Sequence, residues 1–392
     1  YEVSNFTVFR DKTTLSMKPG KVYRRFSDNV YKAHSKMKVS KFALIVGENG
    51  SGKTYFMTSL DFFKYLMTSY ENVRSIKNLC SNYNFEQPQS FKLVVLIDKK
   101  IYTYELTIDQ YSIVSEELKY RGYTQKEQED ISIFSNRRTK TEEYNYGIGF
   151  SYQVKSYYNF KKDFQKMLET NPGRLLLNAL SIFGIKEVNT FLNWIERQLV
   201  IILPSNATMN IYRQMEKSEE DLRIIQNDNF LEIFRLADPT IIRLKIDLED
   251  PFRESILTRR REEKEFDIPI KYESSGIREF FAWSIQIWKV IYENVTLFAD
   301  ELDRVLNPIL ASKVLQFIKG SEHCGQFIFS THNIFHLNTR DFTKEQLYFV
   351  NKNPETLESE LYSLAEFKDY RYEKENVYEL YLKGLLGGVP NE

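Results

Sequence analysis

The chain has 392 residues with 42% hydrophobic and 28% charged side chains, which excludes a disordered or fibrous class and leaves room for one large or two ordinary domains. Lys plus Arg and Asp plus Glu both number 54, so net charge is zero and gives no support to nucleic-acid binding beyond local basic patches. Cys80 and Cys324 lie far apart and form no CxxC, as expected of reduced structural thiols in a cytosolic protein. No run approaches the roughly 18 apolar residues of a membrane span. Tyr1 to Arg10 lacks the charged start and apolar core of a signal peptide, so the expected location is cytoplasmic, with no membrane partner.

In chain order, Glu2 to Pro19 alternates around Arg10-Asp11-Lys12 and predicts two antiparallel strands. Lys21 to Ser40 is polar and mixed and reads as a loop. Phe42 to Val46 is a short apolar run ending in a glycine-rich segment, the pattern of a buried parallel strand, and Thr54 to Met67 continues at helical spacing. Phe91–Ile97 and Ile101–Ile108 flank a turn at Asp98-Lys99-Lys100. Residues 120–150 are polar and tyrosine-rich and read as an irregular insertion. Helical runs follow at Leu175–Phe183, Val188–Ile202 and Leu231–Leu236, then strand character at Ile241–Leu248 and Asp267–Tyr272. A long helix from Gly276 to about Tyr292 leads into buried strands at Thr296–Ala299 and Gln326–Phe329. The expectation is an α/β head whose mixed sheet has antiparallel N-terminal strands: an N-terminal lobe (1–119), a mostly helical inserted lid (120–240) and a C-terminal lobe (241–392).

Four elements carry chemistry. Gly47-Glu48-Asn49-Gly50-Ser51-Gly52-Lys53-Thr54 matches GxxxxGK[ST], in which backbone N–H groups and a helix N-terminus cradle phosphate. Lys53 is then placed to reach the β- and γ-phosphates of ATP and the Thr54 hydroxyl to ligate Mg²⁺. Thr296 to Ala299 delivers Asp300 toward the metal, through water, and Glu301 toward the attacking water as general base. Ser330-Thr331-His332 ends the following strand, where His332 can touch the γ-phosphate. Glu273-Ser274-Ser275-Gly276 opens the long helix, whose small residues and positive end suit close approach to phosphate. A plain N-cap by Ser274 or Ser275 is compatible with that role. The order of these elements is that of an ABC-type P-loop ATPase. In such a head Ser275 and Gly276 serve the nucleotide of a second copy, with Asp303 at the same junction, so a homodimer or larger oligomer is expected. The glutamine that couples the metal to the lid has three candidates by position: Gln110, Gln125 and Gln128. Arg259-Arg260-Arg261, followed by Glu262-Glu263-Lys264-Glu265, reads as a solvated, ion-paired turn rather than a nucleic-acid contact.

At these motifs the chain resembles the RloA/AbiL-type ATP-binding proteins of bacterial abortive-infection systems, an AAA-15/AAA-21 group related to the OLD-family ATPases and the ATPase subunit of the PARIS defence system. The resemblance runs from Val3-Ser4-Asn5-Phe6-Thr7-Val8-Phe9-Arg10-Asp11 through the P-loop, Glu273–Gly276 and Asp300-Glu301-Leu302-Asp303. It ends at Tyr381-Leu382-Lys383-Gly384 and Gly387-Gly388-Val389-Pro390. Asn307 replaces the His that many relatives carry before Pro308, and Ile277 follows Gly276 where many have Thr. The resemblance implies an ATP-driven sensor or scaffold that holds a separate toxic effector, such as a Toprim-like nuclease, and answers a phage trigger protein. No DxD occurs in the chain and only 60 residues follow His332, so the nuclease would be another protein. The alternatives are a RecF-like ATPase that clamps DNA and, behind it, a transporter subunit.

Overall fold

The computed structural model describes residues 1–20, 24–34, 37–73, 83–84, 86–109, 112–122, 129–139, 149–154, 173–203, 218–304, 306–338, 341–368 and 376–387. The first part of the chain forms β1 (Glu2–Ser4), β2 (Thr13–Thr14), β3 (Val30–His34), β4 (Met37–Ser40), β5 (Phe42–Val46), α1 (Lys53–Thr68), β6 (Gln89–Ile97), β7 (Lys100–Ile108), β8 (Ile113–Arg121), β9 (Ile131–Thr139) and β10 (Gly149–Val154). Next come α2 (Leu176–Ile182), α3 (Lys186–Arg197), β11 (Leu199–Ile202), α4 (Glu219–Ile225) and α5 (Asp228–Phe234). The remainder forms β12 (Ile241–Lys245), β13 (Ile256–Arg261), β14 (Lys264–Pro269), α6 (Ser275–Tyr292), β15 (Thr296–Ala299), α7 (Pro308–Gly320), β16 (Gln326–Thr331), β17 (Leu347–Lys352), β18 (Ser359–Ser363) and α8 (Val377–Leu382).

The central sheet has the order β11-β15-β16-β5-β17-β18, parallel except for β18. Its strands β5 and β15 are buried along their whole length because both faces of the sheet are covered there. In β5, Ala43 and Ile45 face one core while Phe42, Leu44 and Val46 face the other. The first core lies between this sheet and a seven-stranded antiparallel sheet of order β10-β9-β8-β7-β6-β1-β2, with α1 sandwiched between. Phe63 of α1 stacks on Phe91 and Tyr104 at centroid distances of 5.0 and 5.7 Å, joining helix to sheet. The second core packs α6, α7 and the helices α4 and α5 against the opposite face, with Phe281 held edge-on between Phe230 and Phe234.

Several sequence expectations change. Lys21–Ser40 is not wholly a loop: β3 and β4 form a hairpin whose outward residues are polar, which hides the alternation. The tyrosine-rich stretch supplies β9 and β10, which extend the antiparallel sheet; neighbouring strands rather than local propensity fix them there. The Val188–Ile202 run is helical only to Arg197, and its β-branched end Leu199–Ile202 becomes the edge strand beside β15. Described parts of the 120–240 block belong to the sheets and the first core. Its strands β9, β10 and β11 join the two sheets, and α3 packs Val188, Phe191, Leu192 and Ile195 into the first core. Strand β14 stops at Pro269, and Ile270–Tyr272 is a short 3-10 turn. Among the described residues no helix is long and apolar enough to cross a membrane.

One buried carboxylate pins α2 to the antiparallel sheet. Glu116 on β8 accepts the N–H groups of Leu176 and Leu177 at 2.7 and 2.9 Å and the Tyr104 hydroxyl at 3.0 Å. Burial pushes this carboxyl up to about 7 despite those three donors. Between its ordinary value of 4.5 and about 7 the folded protein keeps a proton that the unfolded chain has lost, so stability falls as pH rises through that window. Glu116→Ala leaves three buried donors unpaired and should cost about 3 kcal/mol or more. Chemical denaturation from pH 4 to 8 should show that cost and the loss of the wild-type slope.

Candidate functional site

The site forms at the C-terminal ends of the adjacent parallel strands β5, β16 and β15. After Val46 the chain turns through Gly47 to Gly52. Gly50 and Gly52 have φ of +75° and +118°, a region closed to most residues with a side chain. A Cβ on Gly47 would come within 2.6 Å of the Val350 carbonyl and 2.7 Å of Ser51 Oγ. Gly52 precedes α1 with no side-chain cap, leaving the first N–H groups of that helix free for an anion. Ser359 Oγ on β18 donates to the Ser51 carbonyl at 2.6 Å, and Val8 and Ser359 both back onto Gly52. These two buttresses carry no local sequence signal.

Lys53 is 4% exposed, and its ammonium donates to the carbonyls of Gly47 and Glu48 at 2.6 and 2.9 Å and to His332 Nδ1 at 3.2 Å. Burial pushes this lysine down to about 8, opposed by Asp300, Glu301, Asp303 and Glu48. With Nδ1 accepting, the ring of His332 carries its proton on Nε2, which lies 3.7 Å from Glu301 Oε1. Thr54 is exposed.

Strand β16 lies between β5 and β15, so its end inserts Ser330, Thr331 and His332 between the P-loop and the acidic pair. Asp300 is 2% exposed. Its Oδ1 takes the Ser330 hydroxyl, while Oδ2 has no hydrogen-bond partner among the described residues. A buried carboxylate oxygen left in that state fits a hydrated cation, so the residues present suit Mg²⁺ carried with a nucleotide. Glu301 has φ +51°, and its carboxylate lies between Arg304 Nε at 2.6 Å and His332. Asp303 Oδ1 accepts the backbone N–H of His332 in the same chain at 3.2 Å.

Helix α6 begins with Ser274 as its cap, its Oγ accepting the Ile277 N–H at 3.4 Å. Ser274, Ser275 and Gly276 are exposed, and a Cβ on Gly276 would meet nothing within 4 Å. Glu273 is gripped by Arg259, whose Nε and Nη2 each donate at 3.0 Å. Arg259 also binds Asp238 and Thr240, and Arg260 pairs with Glu265. Arg259 and Arg260 are therefore ion-paired as expected, but on a strand that leads into the turn rather than in the turn itself. Gln110, Gln125, Gln128, Cys80 and the Gly388–Pro390 motif lie outside the described residues.

A P-loop strand, the neighbouring β16, an acidic strand beyond it, an antiparallel sheet over α1 and a Ser-Gly helix start together define the architecture. The fold is that of an ABC-type P-loop ATPase head. Residues 42–153 match the family described as "AAA domain, putative AbiEii toxin, Type IV TA system". No curated protein matches the chain. Among solved structures it is similar to an SMC head bound to the C-terminal winged-helix domain of ScpA, with 14% identity, TM-score 0.44, and 92% of this chain and 95% of that chain covered. It is also similar to the SMC head domain of Thermotoga maritima, with 13% identity, TM-score 0.40 and coverage of 92% and 97%. A third similar structure is the Pyrococcus furiosus Smc head with an extended coiled coil bound to the C-terminal domain of ScpA, with 15% identity, TM-score 0.38 and coverage of 98% and 97%.

Proposed function

We propose that this chain binds and hydrolyses Mg-ATP in a site completed by a second copy, and that this cycle governs a separately encoded effector in anti-phage defence. The observation that carries the ATPase reading is the convergence of Lys53, Asp300, Glu301 and His332 at the adjoining ends of β5, β15 and β16. Lys53 and the N–H groups of residues 47–54 bind the phosphates. Glu301 takes the proton of the attacking water, and His332, lying between Lys53 and Glu301, orients both toward the terminal phosphate. Thr54 Oγ1 and, through water, Asp300 Oδ2 are the oxygens that would hold Mg²⁺, which when bound neutralises charge developing on the phosphates.

The second copy is argued from Ser274 to Gly276, which are exposed at the start of α6 with open space above Gly276. The defence role is supported by the resemblance at the motifs and by the family match over residues 42–153. The effector is taken to be a nuclease by analogy with the Toprim nuclease of the OLD-family ATPases, and to be a separate protein because no DxD occurs in this sequence. A nuclease that copurifies from cells carrying the native neighbouring genes tests that part of the reading. ATP-stimulated, strongly salt-dependent DNA binding without any effector would point to a DNA clamp instead.

The shared site has its own test. Ser275→Trp should lower hydrolysis at least tenfold, as estimated from the loss of one preorganised phosphate contact, with nucleotide binding retained. Mixing that variant with Lys53→Ala chains should recover activity, because each mixed pair then has one complete site. If mixing recovers nothing, the idea of a site shared between copies fails.

A further inference from the structure

We propose that Ser330 is a positioning residue that sets both members of the acidic pair for metal binding and water activation. This rests on the Mg-ATPase reading above and adds to it a residue with no assigned role. Strand β16 is apolar through Phe327, Ile328 and Phe329, then places a hydroxyl where nothing is exposed: Ser330 is 0% exposed. Ala299 pairs with Phe329, so Ser330 stands level with Asp300, one step beyond the end of β15.

The hydroxyl makes two bonds with opposite polarity. Its hydrogen goes to Asp300 Oδ1, and its oxygen accepts the Glu301 N–H at 2.9 Å. The first bond occupies one carboxylate oxygen and leaves Oδ2, buried and without a hydrogen-bond partner among the described residues, as the atom available to a hydrated cation. The second holds Glu301 in its left-handed conformation at φ +51°, which a residue with a side chain adopts only when its surroundings fix it. That conformation turns the Glu301 carboxylate toward His332 and the P-loop side. A single hydroxyl therefore fixes which oxygen of Asp300 is free and where Glu301 points. An apolar residue of the same shape could do neither.

The test compares Ser330→Thr with Ser330→Val, which have the same shape and differ in the hydroxyl, alongside Ser330→Ala. Two readouts are needed: steady-state ATP hydrolysis, and Mn²⁺ binding to the ADP-loaded protein followed by electron paramagnetic resonance. Val and Ala should raise the Mn²⁺ midpoint roughly tenfold and lower kcat roughly 10- to 100-fold, the effect of losing hydrogen bonds to charged groups. Metal-free ADP affinity should stay within about threefold, because the phosphate cradle is untouched. Thr should behave as wild type in both readouts. Equal behaviour of Thr and Val, or a Mn²⁺ midpoint unmoved in Val and Ala, overturns the role of the hydroxyl. A wild-type protein with no Mg²⁺-dependent hydrolysis overturns the ATPase reading itself, and this proposal with it.

Discussion

Replacing Glu301 by Gln should lower the rate of ATP hydrolysis about 10²- to 10⁴-fold, the range for loss of a positioned general base, while leaving nucleotide affinity within about threefold. The substitution keeps shape and hydrogen-bonding length but cannot take a proton from water. The contacts expected to hold the phosphates come from elsewhere, namely Lys53, the glycine loop and the start of α1. Loss of turnover without loss of grip leaves ATP in place, so the assembled state should persist. The backbone of Glu301 is fixed by Ser330 and its side chain is flanked by Arg304 and His332, so the amide should sit where the carboxylate sat. Single-turnover hydrolysis and light scattering in the presence of ATP check both halves. An unchanged single-turnover rate would remove Glu301 from the role of base. Fast turnover loss together with loss of binding would make its role structural.

What the sequence made legible follows from where the physics is local. The P-loop is readable because its function depends on backbone conformation, and only glycine supplies φ of +75° and +118° at positions 50 and 52 without strain. The strands β5 and β15 are readable because burial on both faces demands an unbroken apolar run. Ser359 is the contrary case. It braces the Ser51 carbonyl from 308 residues away, and a serine in an ordinary edge strand announces nothing. A polar outward face hid the β3–β4 hairpin, and β9 and β10 are held in place by the sheet they extend rather than by a local pattern. Ser330 shows a third situation. The hydroxyl is visible in the sequence beside His332, but that it reaches Asp300 and Glu301 rather than solvent emerges only once β15 and β16 are adjacent.

Lys53→Ala should weaken ATP binding at least about 100-fold, since hydrogen bonds to charged groups contribute roughly 1.5–3 kcal/mol each and this ammonium can offer more than one. The wild-type protein adds a pH signature that the variant lacks. Burial holds the lysine down to about 8, so above that pH the fraction able to offer a charged donor to phosphate falls. Phosphate anions favour the protonated form, and binding must then take up a proton from solution. Affinity should therefore be flat below pH 8 and weaken about tenfold per unit above it, as expected for one linked proton. Titration with a fluorescent ATP analogue between pH 6.5 and 9.5, and calorimetry in buffers of different ionisation enthalpy, measure the slope and the proton count. The slope should vanish in Lys53→Ala. If the variant binds within about threefold of wild type, or keeps the same slope, the phosphate grip lies on the backbone N–H groups of the loop and the free start of α1, and Lys53 serves only to tie Gly47, Glu48 and His332 together.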